Sequence, residues 1–188
     1  MTAKEVIDRL KTGNSRFVAN KLDGKLQNNN RRENLITEQN PYAIILSCAD
    51  SRVVPELAFD TGLGELFVIR IAGNIATKSS IASIEFAVAY LGSLVIVVMG
   101  HQNCGAVTAA VAGGDNGPNL NHLLSYISPA ISASDKKATI NEVVRKNAQL
   151  TVDVLKSNSS IIKEAINNEK LTILPAYYHL DSGQVEFL

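Results

Sequence analysis

From residue 42 onward, short apolar runs alternate with longer stretches whose apolar residues recur every three or four positions. The short runs are "YAIILSC" (42–48), "ELFVIRI" (65–71), "LVIVVMG" (94–100) and "LTILPAYY" (171–178), each of strand length. Four of the five residues from Leu94 to Val98 are β-branched, which suits a strand covered on both faces. Between the second and third runs, "SSIASIEFAVAYLG" sets Ile81, Ile84, Val88 and Leu91 near helical spacing, with Gly92 as its C-cap. "GAVTAAVAG" is small and helix-tolerant, and residues 139–168 read as one long helix or as two broken at "SNSS". At the amino end, residues 2–20 form an amphipathic pattern through Val6, Ile7, Leu10, Phe17 and Val18. Thr2 and Glu5 are spaced for a capping box, and Gly13 weakens the middle. Residues 21–34 are polar and aperiodic, a surface loop or arm, and "YHLDSGQVEFL" reads as a hairpin ending in an edge strand.

This alternation predicts an α/β fold: a mainly parallel central sheet flanked by helices, with a C-terminal antiparallel edge strand and an N-terminal helical arm. At 188 residues the expectation is a single domain, residues 1–34 being the arm and loop. Ligands of such sheets collect outside the carboxyl ends of the strands. "SCADSR" follows the first strand and "GHQNC" the third, so both polar clusters fall on the same rim.

Composition narrows the partners. The 18 basic and 18 acidic residues cancel, which argues against a general grip on nucleic acid or anionic lipid. Tryptophan is absent and aromatics are 5%, so stacking platforms for single strands are not expected. No apolar run approaches the roughly 18 residues of a membrane span, and the charged amino end contains no signal core. The expected location is cytoplasmic, although a trimmed export leader would leave no trace.

The chemistry concentrates in few residues. The chain has two cysteines and three histidines, and His101 and Cys104 lie three apart at the end of the third strand while Cys48 ends the first. Two thiolates and an imidazole suit zinc with a fourth position open. Each cysteine alone is more often a small buried hydrophobe and each histidine alone a hydrogen-bonded core or surface residue, and the cysteine pair lacks C-x-x-C redox spacing. Asp50 and Arg52, two and four residues after Cys48, are placed to pair, keeping the carboxylate ionised as an acceptor.

"CADSRVVPE", "GELFVIRIAGNIA" and "GHQNCGAV", in this order, resemble the β-class carbonic anhydrases, with a looser echo in "LPAYYHLDSGQVEFL". The resemblance implies Cys48, His101 and Cys104 as zinc ligands and reversible hydration of carbon dioxide to bicarbonate by zinc-bound hydroxide. It further implies that Asp50 and Arg52 act in catalysis, Asp50 becoming a fourth ligand only in a closed state after leaving Arg52. Gly105 would offer its backbone near the substrate, and Gln39 matches a substrate-binding glutamine of the plant-like branch. Thr61 and Phe86 depart from that branch, which places an apolar aromatic and a tyrosine there; Phe86 alone reads as a core aromatic on a helix. Val53, Leu57, Ile75 and Val107 flank the motifs as candidates for an apolar wall. Family members are dimers or multiples of dimers, often with the N-terminal helix reaching across to the partner. Two rival readings remain: hydrolysis of carbonyl sulfide or carbon disulfide on the same scaffold, and a non-catalytic zinc-binding or redox-sensing module.

Overall fold

The computed structural model describes residues 1–188. Its centre is a five-stranded sheet of β1 (Ala43–Ser47), β2 (Leu66–Arg70), β3 (Val95–His101), β4 (Thr172–Tyr178) and β5 (Val185–Phe187), in the spatial order β2-β1-β3-β4-β5. The first four strands are parallel, with Ala43 opposite both Leu66 and Val95, and Val95 opposite Thr172; β5 runs antiparallel to β4. All residues of β1 and β3 are buried, so these two strands carry apolar residues continuously rather than alternately. Pro175 sits inside β4 yet forfeits only one rung, at the open end, where its carbonyl accepts from Leu188 N–H at 3.0 Å.

The chain leaves β1 for β2 on one side, then returns to lay β3 on the other side. The strand order therefore reverses between β1 and β3, and the crevice beyond their carboxyl ends is where this class of sheet binds ligands. Cys48 and His101 stand at that reversal.

Helices cover both faces. On one, α1 (Ala3–Val18) and the single turn α3 (Pro55–Ala58), which follows α2 (Asn29–Asn34), pack Val6, Leu10 and Phe59 against Ile45 and Val97. The Thr2–Glu5 capping box is formed, and α1 runs unbroken through Gly13. That glycine is a contact residue rather than a weak point: a Cβ there would lie 1.8 Å from the Phe59 carbonyl oxygen. Asn14, buried, donates to the Ala58 and Gly183 carbonyls and accepts from Val185 N–H, while Arg9 pairs with Glu65 and Arg16 with Asp60. Helix α1 thus covers its own sheet with Val6 and Leu10. The polar segment read as loop also contains α2, capped by the Asn28 side chain on Arg31 N–H.

On the other face lie α4 (Lys78–Leu91), then α5 (Gly105–Ala112), α6 (Pro118–Ser125) and α7 (Ser128–Ser132), followed by α8 (Ile140–Asn158) and α9 (Ser160–Asn167). Helices α4, α8 and α9 bury Ile84, Val152, Leu155 and Ile162 against Ile44, Leu46, Ile96 and Val98. Gly92 ends α4 in the left-handed conformation, at φ +66°. The "SNSS" break is real: Ser159 closes α8, and its hydroxyl accepts from Ile162 N–H at 3.1 Å to start α9. No helix is long and apolar enough to cross a membrane.

Candidate metal centre

Three side chains converge where the sheet reverses. Cys48 follows directly on β1, His101 is the last residue of β3, and Cys104 is the N-cap of α5 after a tight turn with Asn103 at φ +52°. All three are buried, and one ligand atom from each lies within 4.8 Å of the other two. The two sulfurs are 3.9 Å apart. A zinc ion bound tetrahedrally at its usual Zn–S distance of about 2.3 Å separates two thiolates by about 3.8 Å, so the spacing suits one ion shared between them.

The imidazole is prepared in the same sense. His101 Nδ1 lies 2.9 Å from the Gln102 carbonyl, which can only accept, so the proton sits on Nδ1 and Nε2 presents a lone pair. Buried Nε2 has no hydrogen-bond partner in the protein. An orphaned acceptor beside two sulfurs fits a metal ligand and is hard to explain otherwise.

Backbone donors and thiol coupling complete the set. Gly73 N–H donates to the Cys48 sulfur at 3.3 Å, from a turn (Ala72–Asn74) that lines the crevice behind β2. The hydrogen bond with Cys104, then the Gly73 N–H, draw the Cys48 thiol well below its ordinary range against the opposing effect of burial. The same contact with Cys48, together with burial, pushes Cys104 up, so thiolate character concentrates on Cys48. Arg70, at the end of β2, clamps the loop that carries Cys48 and Asp50: its guanidinium donates to the Cys48 carbonyl at 3.1 Å and to the Asp50 carbonyl at 2.6 Å.

Asp50 lies beside the triad, its Oδ2 3.8 Å from His101 Nε2. Both of its oxygens are engaged by Arg52, through Nε at 2.9 Å and a terminal nitrogen at 2.7 Å, and Arg52 N–H adds a third bond at 2.9 Å. The Arg52 side chain therefore holds the Asp50 carboxyl well below the usual carboxylate range.

A sequence model of the family described as carbonic anhydrase matches residues 43–185. The chain belongs to the β-class carbonic anhydrase family. Carbonic anhydrase 2 of Mycobacterium tuberculosis is 38% identical to it over 93% of this chain and 87% of that protein. A carbonic anhydrase of Pseudomonas aeruginosa is 34% identical over 83% and 77% of the two chains. Among solved structures, the β-carbonic anhydrase CafA of Aspergillus fumigatus superposes with a TM-score of 0.74 at 28% identity, covering 84% of this chain and 79% of that one. A tetrameric β-carbonic anhydrase from Sordaria macrospora shares the fold with a TM-score of 0.77 at 23% identity, over 98% and 97% of the chains.

The other residues singled out from the sequence distribute differently. Gly105 opens α5 with free space where a Cβ would stand, beside Cys104. Gln39 is exposed in the segment between α2 and β1. Thr61 is buried, its hydroxyl donating to the Glu56 carbonyl at 3.2 Å. Phe86 is 46% exposed, so the core assignment fails; it stacks on Tyr90 at 5.3 Å and tilts against Phe67 on the outer face of α4. Val53, Ile75 and Val107 are buried, whereas Leu57 is exposed. His122 is exposed, and His179 pairs with Glu186 at 3.3 Å. Two site-shaping residues escaped the sequence reading. Arg70 was hidden inside an apolar run, where its place at the rim end of β2 was the available signal. Gly73 acts through its backbone, which leaves no side-chain signature.

Proposed function

We propose that this protein catalyses the reversible hydration of carbon dioxide to bicarbonate at a zinc ion held by Cys48, His101 and Cys104. The observation that carries the reading is the convergence of two sulfurs and an unpartnered imidazole nitrogen within 4.8 Å, beside a carboxylate fixed by Arg52. Zinc with an open fourth position supplies Lewis-acid activation of water near neutral pH. The protein's own groups do the rest. Ionised Asp50 accepts a hydrogen bond from the attacking water and turns its lone pair towards the carbon of the substrate. Arg52, by holding both carboxylate oxygens, keeps Asp50 charged and keeps it from swinging onto the metal position. Gly105 N–H, at the start of α5, faces the growing negative charge on the substrate oxygen. Buried Val53, Ile75 and Val107 provide an apolar approach for a small apolar gas.

Gln39 is assigned to substrate binding in a neighbouring subunit's site, because its own chain leaves it exposed. The assembly is a homodimer or a multiple of dimers. Two features support it: β2 is an unpaired sheet edge, and Phe86 and Tyr90 form an exposed aromatic pair on the adjoining helix. Both cysteines are free and serve the metal, which suits a reducing compartment such as the cytoplasm.

Stopped-flow carbon dioxide hydration on zinc-loaded protein tests the activity directly. Turnover that disappears on chelation and returns with zinc is the expected result. Zinc-loaded protein no faster than buffer would refute it.

A further inference from the structure

Helix α8 sends a hydrogen bond from a buried side chain to the turn beside Cys48. Asn147 is 2% exposed, and its Nδ2 donates to the Gly73 carbonyl at 2.8 Å. Gly73 in turn donates its own N–H to the Cys48 sulfur at 3.3 Å. It does so from a left-handed conformation, φ +74°, in a space so tight that a Cβ would lie 2.9 Å from Ile127 Cδ1. A glycine has the widest backbone freedom of any residue, so the direction of its N–H must be fixed from outside. The Asn147 amide fixes the carbonyl side of the same residue. Asparagine is a poor helix former and costs free energy when buried, yet it stands on the inner face of α8 between buried Val144 and Ala148. Packing alone would be better served there by an apolar residue.

We infer that Asn147 is a positioning residue for the metal centre: through Gly73 it aims a backbone N–H at the Cys48 thiolate, holding the sulfur in place and drawing off part of its donor strength. The inference rests on the assignment of Cys48, His101 and Cys104 as metal ligands. It adds a residue from the region of the chain with the least distinctive sequence.

The test uses cobalt(II)-loaded full-length protein, unsubstituted and as Asn147→Asp and Asn147→Ser. A carboxylate of the same size cannot donate to the Gly73 carbonyl, and serine falls short of it. Three quantities are read: the thiolate-to-cobalt charge-transfer band, the rate of metal release to a chelator, and the thermal midpoint of the metal-free protein. The expected result is a band moved to longer wavelength and release faster by about 10- to 100-fold. Variants with an unchanged band and release rate, differing only in thermal midpoint, would assign Asn147 to structure alone and overturn the inference. Should neither variant fold, NMR of the unsubstituted protein loaded with cadmium-113 decides. The Gly73 amide proton should couple to the metal nucleus and the Asn147 side-chain amide to the Gly73 carbonyl carbon, and loss of either coupling overturns the role. An unsubstituted protein that takes up neither metal would instead remove the ligand assignment itself.

Discussion

Arg52 grips Asp50 by both carboxylate oxygens, at 2.9 and 2.7 Å, while Asp50 Oδ2 stands 3.8 Å from the lone pair of His101. A fork-to-fork pair of this kind has a defined direction as well as a charge. It fixes the carboxylate beside the triad.

Removing the carboxylate should therefore separate binding from turnover. Asp50→Ala is expected to retain one metal ion per chain and to lose about 10²- to 10⁴-fold in kcat, measured by metal analysis and stopped flow on the same sample. A metal-binding sensor would keep both its zinc and its function. Arg52→Ala is expected to lower turnover too, because a released Asp50 can occupy the fourth metal position.

The pH dependence follows from the direction of the Asp50 shift. The Arg52 hydrogen bonds depress the folded-state value, so Asp50 stays ionised throughout the neutral range. Its contribution to stability is complete above the ordinary carboxylate value of about 3.9 and is lost only as the pH falls through the lowered one. The activity profile between about pH 6 and 9 thus reports other ionisations. Two thiolates would place more negative charge on a bound metal than neutral imidazoles would, which would raise the pH at which the activated water ionises. Expected is a rate that climbs with pH through neutrality; a flat profile would contradict this.

Gly13 tests how α1 is seated. Alanine is the better helix former by about 1 kcal/mol, but its methyl would meet the Phe59 carbonyl at 1.8 Å. Gly13→Ala should destabilise the protein by about 1–3 kcal/mol, seen as a lower urea midpoint with an unchanged slope. A stabilised variant would mean that α1 can lift off α3 without cost.

The aromatic pair on α4 tests the assembly. The double substitution Phe86→Ser and Tyr90→Ser removes a stacked pair that packs onto the edge strand β2 through Phe67. Light scattering should show a smaller particle with unchanged circular dichroism. An unaltered mass would move the interface elsewhere.

Much of this architecture was legible along the chain. The four apolar runs became β1 to β4, Gly92 became a left-handed cap, and Thr2 with Glu5 closed the first helix. These features are governed by local pattern and backbone chemistry, which a sequence carries directly. The convergence of Cys48, His101 and Cys104 was legible for a different reason: they are rare residues placed at or just after strand ends. What escaped depended on packing between distant segments. Gly13 reads locally as a helix weakness, and only the approach of Phe59 makes it a requirement. Phe86 reads as core because it is an aromatic on a helix, but the sheet ends at β2 and leaves it outside. Helices α6 and α7 begin at or near prolines in polar sequence without a strong apolar period. Arg70 and Gly73 act on backbone groups and on sulfur, contacts that exist only once β1, β2 and the following turn are side by side.

X-ray absorption at the zinc edge of the purified protein tests the assembled centre most directly. Two sulfurs at about 2.3 Å and one imidazole nitrogen at about 2.0 Å, with one further light ligand, is the expected shell, and Cys104→Ser should reduce the sulfur count to one. A shell without sulfur, or protein that neither contains zinc nor takes it up, would contradict the role given to Cys48, His101 and Cys104.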